Sequence, residues 1–230
     1  MKQLLFICVL SFSVLTYAQQ CDTYLLLKEG SSFEYTNYDR KGKAITVGNH
    51  LAKTVAENSG VYNSQISLDI KDLKKGDQFN MEYEVGCENG ILSIDMSRFF
   101  DSSKLLQYEG SDFDISIEGD MLYFPKNMAV GDELNNGTIT VKVVKDEFTL
   151  VTMTMDILNR KVEANERVTT DAGTFECQKV SYDFESKFGI IKVKGSAQEW
   201  YHNDRLLIKS ESYNKKGKLI GSTALTSIKE

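Results

Sequence analysis

The sequence predicts an all-β, or mainly β, single domain. Roughly a dozen antiparallel strands should form a curved sheet, half-barrel or sandwich, with at most one short helix. Three observations carry this. Apolar and polar residues alternate with period two through most of the 230 residues. Clusters of glycine, asparagine and lysine separate the alternating runs, as hairpin turns require. The chain is 41% apolar with a single proline, Pro125, and no Ser/Pro-rich linker divides it; that is enough apolar material for one core.

The first eighteen residues stand apart. Lys2 precedes an apolar run from Leu4 to Leu15, and Thr16-Tyr17-Ala18 closes it like an A-x-A cleavage site. This is the pattern of a secretory signal peptide, and the run is too short to span a bilayer. The expected division is therefore a leader over residues 1–18 and one domain over 19–230. A lipid-attachment signal at Cys21 would need small residues immediately before it, but Gln19-Gln20 stand there. With Cys8 removed, Cys21, Cys87 and Cys177 remain. One disulfide and one thiol is the simplest arrangement in an oxidising compartment. Cys21–Cys87 is the favoured bridge, because it would tie the N-terminus to a turn, whereas Cys177 lies inside a strand.

Along the mature chain, Ile66, Leu68 and Ile70 share one face of a strand. Phe79, Met81, Tyr83 and Val85 share a face of the next, followed by Leu92, Ile94 and Met96. The best helix candidate is Ser97 to Gln107, on a stripe of Phe99, Phe100, Leu105 and Leu106. Further strands follow at Ile139/Val141/Val143, Val151/Met153/Met155/Ile157 and Ile191/Val193. Two runs change phase: Phe175 and Cys177 lie on odd positions but Val180, Tyr182 and Phe184 on even ones, and Phe148 to Val151 behaves likewise. Either a bulge or two-sided burial explains such a change. Hairpin turns are expected at 39–42, 58–60, 74–77, 88–90, 135–137, 171–173 and 214–217. Two of them echo one another, Tyr38-Asp39-Arg40-Lys41-Gly42-Lys43 and Tyr213-Asn214-Lys215-Lys216-Gly217-Lys218.

Net charge −6 and a pI near 5.2 argue against nucleic acid as a partner, since phosphate binding needs a basic face. His50 and His202 are the only histidines, and no nucleophile elbow, zinc-protease helix or phosphate loop occurs. No catalytic, cofactor-binding or metal-ligating residue is therefore expected. Glu163, Glu166, Thr169 and Thr170 read as a solvated strand face, and His50 as a surface strand residue. Asp112-Phe113-Asp114 and Glu118-Gly119-Asp120 lack the register of a calcium loop. Trp200, Tyr201 and His202 form the one dense aromatic–imidazole cluster and are the candidate ligand contacts. They read chiefly as a strand end with Trp200 in the core. The lysine-rich turns read as solvated tips that discourage edge-to-edge pairing.

Three stretches carry a family resemblance: Phe124 to Leu134, Asn159 to Val180, and the Tyr213 to Leu225 hairpin. The most specific is Val162-x-x-x-Glu166-x-Val168-Thr169-Thr170-x-Ala172-Gly173-Thr174-Phe175-x-Cys177-x-Lys179-Val180. Together they resemble the DUF3108-like (TapB-type) family of exported bacterial proteins, although Asp171 stands where that family usually has proline. The resemblance implies a mainly β exported protein and carries no catalytic residues. The expected function is that of a noncatalytic binding or accessory protein using a curved sheet, in the periplasm, at the outer-membrane periphery or outside the cell. Its apolar concave face would be lined by residues such as Met153, Met155, Phe184 and Trp200. The alternatives are a lipid or lipoprotein carrier with a half-barrel cavity, and an enzyme of unrecognised type. Partners could be another envelope protein, a lipid or a glycan, with no transmembrane segment once the leader is gone.

Overall fold

The structure, a computed structural model, describes residues 21–99, 113–203 and 205–229. The leader at 1–18 and most of the helix candidate at 97–107 lie outside these residues. Among the described residues, thirteen strands form one antiparallel sheet. They are β1 Ser32–Asp39, β2 Ala44–Asn58, β3 Val61–Asp72, β4 Gln78–Glu88, β5 Ile91–Asp95, β6 Asp114–Gly119 and β7 Met121–Pro125. The remainder are β8 Gly137–Lys145, β9 Phe148–Thr170, β10 Gly173–Phe188, β11 Ile191–His202, β12 Leu207–Asn214 and β13 Leu219–Lys229. The lateral order is β6-β8-β9-β10-β11-β12-β13-β1-β2-β3-β4-β5-β7. The only helical turns among the described residues are short 3-10 turns at Leu25–Leu27 and Met96–Phe99, so the candidate helix begins as one such turn.

The two edge strands, β6 and β7, are consecutive in the chain, with only Asp120 between them. The chain therefore crosses from one edge of the sheet to the other in a single residue and draws the sheet into a nearly closed barrel. Asp120 is bonded on several sides. Its N–H donates to the Thr138 carbonyl at 2.9 Å, its carbonyl accepts from Met96 N–H at 3.1 Å, and its carboxylate accepts from Thr138 N–H at 2.8 Å. Beside this seam Asn135 caps the outer side of β7, accepting from Tyr123 N–H and donating to the Met121 carbonyl, each at 2.8 Å. The Asn135-Asn136-Gly137 turn is thus an edge cap and not a hairpin. Gly137 fits closely there: a Cβ would sit 2.7 Å from Leu122 Cδ2 and 3.2 Å from Met96 Sδ, so a larger residue would push these buried side chains aside.

Period-two burial follows the alternation. Ile66, Val85, Leu92, Phe124, Ile139 and Ile157 are all buried on the inner face. The two phase changes have different causes. Between Phe148 and Val151 it is a bulge: Val143 pairs with Val151 but Val144 with Thr149, leaving Leu150 extra, which bends the strand and moves its apolar face from even to odd positions. In β10 it is two-sided burial: the register with β11 runs without a shift from Cys177 opposite His202 to Phe188 opposite Ile191, so Cys177 shares a face with Trp200 while Val180 and Tyr182 share the other with Glu199. The bulge beside it belongs to β9, where Lys179 pairs with Ala164 but Val180 with Val162, leaving Glu163 extra.

The two echoing turns are built alike. Asp39 Oδ1 accepts from the backbone N–H of Lys41 and Lys43 at 2.8 and 3.0 Å; Asn214 Oδ1 accepts from Lys216 and Lys218 at 2.9 and 3.2 Å. Gly42 and Gly217 supply the positive φ, 77° and 70°. Asp39 faces Gly221 across β1 and β13, so the two turns are neighbours. The antiparallel registers place the β3–β4, β8–β9 and β10–β11 turns at this same end.

The opposite end is plugged. The segment from Cys21 to Ser31 folds across it. Tyr24 Oη donates to the Gly90 carbonyl at 3.2 Å, Leu26 and Leu27 are buried, and Gly30 and Ser31 exchange backbone bonds with Ala52. Cys21 and Cys87 are joined by a disulfide spanning 66 residues, and Cys177 is a buried thiol in β10. A crosslink of this kind contributes about 2–4 kcal/mol. In denaturant without reductant, a chain beginning at Gln19 should show one reactive thiol, and with reductant three. Three without reductant would mean that the plug is not covalently held.

Candidate functional site

Inside the barrel lies a cavity of about 360 Å³. Its deep end rests on Leu26 and Phe33 near the plug. Its other end reaches Asn37, Ser212 and Ile220, close to the turns of the unplugged end. The wall is mixed. Leu68, Ile70, Met155, Phe184, Leu207 and Ile220 give apolar surface, and Tyr83, His50, Arg98 and Glu199 give polar groups. Gly195 makes room for one wall, since a Cβ there would lie 2.5 Å from the Phe184 ring and 2.2 Å from the Tyr213 carbonyl.

The polar groups are bonded to one another. The 3-10 turn Met96–Phe99 carries Arg98 inward, and its guanidinium sits 3.7 Å from Glu199 and donates to Tyr201 Oη at 3.1 Å. Tyr182 Oη donates to Glu199 at 3.1 Å, and Tyr201 Oη also donates to that carboxylate. The guanidinium stacks 4.5 Å from the Phe99 centroid. Burial alone would lower the Arg98 pKa, but Tyr201 and Glu199 outweigh it and hold the group charged. Burial pushes the Tyr182 and Tyr201 hydroxyls far above their ordinary range. The charges are thus an ion pair satisfied by phenols, which is how buried charge is tolerated.

His50 belongs to this interior. It is not a surface residue: Nδ1 lies 2.9 Å from Tyr83 Oη, and the ring meets Tyr35 edge-on at 5.0 Å. Burial, helped by the Arg98 charge, lowers its pKa to about 3, so the imidazole is neutral at physiological pH. Burial raises Tyr83 to about 12.

The predicted ligand cluster is split by the sheet. Tyr201 points inward and is fully buried, with its ring 4.8 Å from Phe124. Trp200 points to the outer face. It is buried there, as expected of a core residue, but it does not line the concave face, because strand alternation puts it opposite Glu199 and Tyr201. Its indole N–H donates to Glu166 at 2.7 Å, and the ammonium groups of Lys179 and Lys209 lie 5.3 and 5.0 Å from the ring. That outer groove, about 410 Å³, also includes Tyr38 and the strand from Glu166 to Asp171. His202 packs edge-on against Phe175 at 5.7 Å. Met155 and Phe184 do line the interior cavity, and Met153 is buried in the core. Glu163 accepts from Ser181 Oγ, and Thr169 bonds Thr174, so these polar groups are engaged across strands. Among the described residues, no group of three or more His, Cys, Asp or Glu is placed to hold a metal ion. No helix among them is long and apolar enough to cross a membrane.

The family model described as DUF3108-like matches residues 28–225. Among solved structures, a protein of Bacteroides fragilis described as exported and as having a YmcC-like fold is 23% identical. It superposes with a TM-score of 0.74 over 88% of this chain and 97% of that one. A protein of Parabacteroides distasonis described as a lipoprotein is 22% identical, with a TM-score of 0.73 over 92% and 100% of the two chains. At these identities the likeness is one of fold. No curated protein matches the sequence.

Two predictions follow from the interior. Glu199→Gln should destabilise the protein by about 3–5 kcal/mol, because it leaves Arg98 buried and uncompensated. Arg98→Met with Glu199→Leu should recover much of that loss in urea unfolding; equal losses in single and double variants would deny the coupling. Separately, unfolding exposes His50, which then protonates below about pH 6.5 while the folded ring stays neutral down to about 3. Stability should therefore be full above the upper value and decline as pH falls through this window. His50→Gln should flatten the decline, and superimposable pH profiles would contradict it.

Proposed function

The chain belongs to the DUF3108-like family, and we propose that it is an exported, noncatalytic binding protein that holds a small molecule inside its barrel. The observation that carries this reading is the interior cavity of about 360 Å³, lined by apolar side chains around a self-satisfied polar floor. That volume lies at the lower end of the usual range of about 300–1,000 Å³ for small-molecule pockets. Residues 1–18 have the make-up of a secretory leader. Structural relatives described as an exported protein and as a lipoprotein support the same extracytoplasmic placement, whether periplasm, outer-membrane periphery or medium.

Binding is favoured over catalysis by the state of the titratable groups. Glu199 is bonded by Arg98, Tyr182 and Tyr201, and His50 is neutral and paired with Tyr83. None stands as an unengaged base or nucleophile beside an empty reaction space. The cavity wall holds one cation and one anion, already paired, so an ion entering it would lose hydration without gaining a partner. The ligand class that fits is a small, mostly apolar molecule with an uncharged polar group. A lipid or lipoprotein carrier remains the second reading, favoured by the cavity's reach to the unplugged end.

A neutral naphthylamine fluorophore should bind the protein with one-to-one stoichiometry, and uncharged amphiphiles should displace it. Ser212→Phe narrows the cavity from a half-buried position and should abolish binding while leaving the circular dichroism spectrum and thermal unfolding unchanged. No binding by the parent protein, or undiminished binding by a folded Ser212→Phe variant, would overturn the interior site. Displacement by diacyl phospholipid in preference to small amphiphiles would favour the carrier reading.

A further inference from the structure

We propose that the unplugged end of the barrel is a docking surface for an anionic lipid bilayer, set with its hairpin tips against the membrane. The proposal rests on the distribution of charge and apolar surface at the two ends, and stands whether or not the cavity is filled.

The charge is the first observation. The protein carries a net −6, yet the turns gathered at this end are basic. Two are Arg40-Lys41-Gly42-Lys43 and Lys215-Lys216-Gly217-Lys218, adjacent across β1 and β13. Next around the rim come Lys74 and Lys75 in the β3–β4 turn. None of these side chains makes an ion pair among the described residues. Asp39 and Asp72 stand in the same turns, accept backbone N–H groups there at 2.7 to 3.0 Å and offset part of this charge. On the β10–β11 hairpin, Lys187, Lys192 and Lys194 share Glu185, and Lys187 also meets Asp156 of β9 at 3.8 Å, so three cations face two carboxylates. Asp77, Asp146 and Glu147 are the remaining acidic residues of these turns, too few to cancel the excess.

The apolar surface is the second observation. The β10–β11 hairpin projects beyond the end of β12, whose last paired residue, Asn214, faces Gly195. Its tip exposes Ile190 completely, at 103% of the reference, together with Phe188, Ile191 and Val193. Beside it the start of β9 exposes Phe148 at 74% and Leu150. Leu73 and Ile220 are exposed next to the lysine turns of the opposite wall.

Lysine tips alone would suit any polyanion. Apolar side chains mixed with them suit an interface with both anionic headgroups and an acyl boundary, where lysine stems lie along apolar surface and their ammonium groups meet phosphate. The other end differs: besides the plug it carries the Glu57 and Glu88 turns and Asp171, and its exposed Ile91 is accompanied by single cations such as Lys28 and Lys126, with no cluster of basic turns.

The test is flotation with vesicles of phosphatidylglycerol and phosphatidylethanolamine, against vesicles of phosphatidylcholine alone. The protein should float with the anionic vesicles and stay behind with the neutral ones, and raised salt should weaken binding. Two folded variants should each reduce binding at least about tenfold: Ile190→Asp, and the triple change Lys215→Glu, Lys216→Glu, Lys218→Glu. Neither touches the bonds that Asn214 makes to the backbone, and circular dichroism checks each fold. Absence of binding to anionic vesicles overturns the proposal, as does binding that neither variant diminishes. Loss in the lysine variant with full binding in Ile190→Asp also overturns it, and would mark the rim as a site for a soluble polyanion instead.

Discussion

Closure of the sheet at Asp120 is the constraint on which the rest of the molecule depends. A sheet of thirteen twisted strands has two edges and must cover, blunt or join them. Here one residue separates the two edge strands, so joining is enforced by the covalent chain, and Asp120 bonds to Thr138 and Met96 at the crossing. Asn135 and Arg160 seal what remains, with the Arg160 guanidinium 2.9 Å from the Asn135 carbonyl and 4.6 Å from the Phe124 centroid. Once the sheet is closed, its concave face becomes an interior. That geometry makes the alternating Ile, Val and Leu positions a core, and it gives the leftover space a volume and a mouth.

A closed interior also imposes a cost on any charge placed inside. Arg98 and Glu199 are tolerated because Tyr182 and Tyr201 supply the bonds that water would otherwise make. The same satisfaction removes them from acid–base work and leaves a polar floor without net attraction for ions. The N-terminal plug, held by Cys21–Cys87 and by Tyr24 on Gly90, seals the deep end. The barrel is thereby polarised, with a covalently fastened base and a mouth ringed by basic hairpins.

Much of this was legible in the sequence because strands write their burial with period two. The run from Phe79 to Val85, the phase change between Phe148 and Val151, and the paired turns at Asp39 and Asn214 each carry a local physical signature that the structure repeats; at Cys177 and Val180 the signature left a bulge and two-sided burial open, and both faces of β10 are buried. The cavity was less legible. Glu199 shares parity with Ala197 and Tyr201, and a carboxylate on an apolar parity is a readable sign of a buried charge. Its partner Arg98 comes from a 3-10 turn far away in sequence, and no local rule links the two. His50 read as a surface residue because Gly48 and Ala52, its companions on the inner face, are too small to show an apolar stripe. Trp200 read as core because its size suggests burial; it is buried, but outside the barrel, beneath Lys179 and Lys209. Sequence gives the parity of a strand residue and leaves open which parity faces inward when both faces carry large side chains. That several lysine turns lie at one end likewise follows only from register around the whole sheet.

The interior cavity and the outer groove beside Trp200 lie on opposite faces of the same strands. Methyl and indole NMR resolves them directly. Titration with an uncharged amphiphile should shift the methyl signals of Leu68, Ile70, Met155 and Ile220 together and leave the Trp200 indole N–H, bonded to Glu166, in place. Movement of the Trp200 signal with silent interior methyls would contradict the account and move binding to the outer face of the barrel.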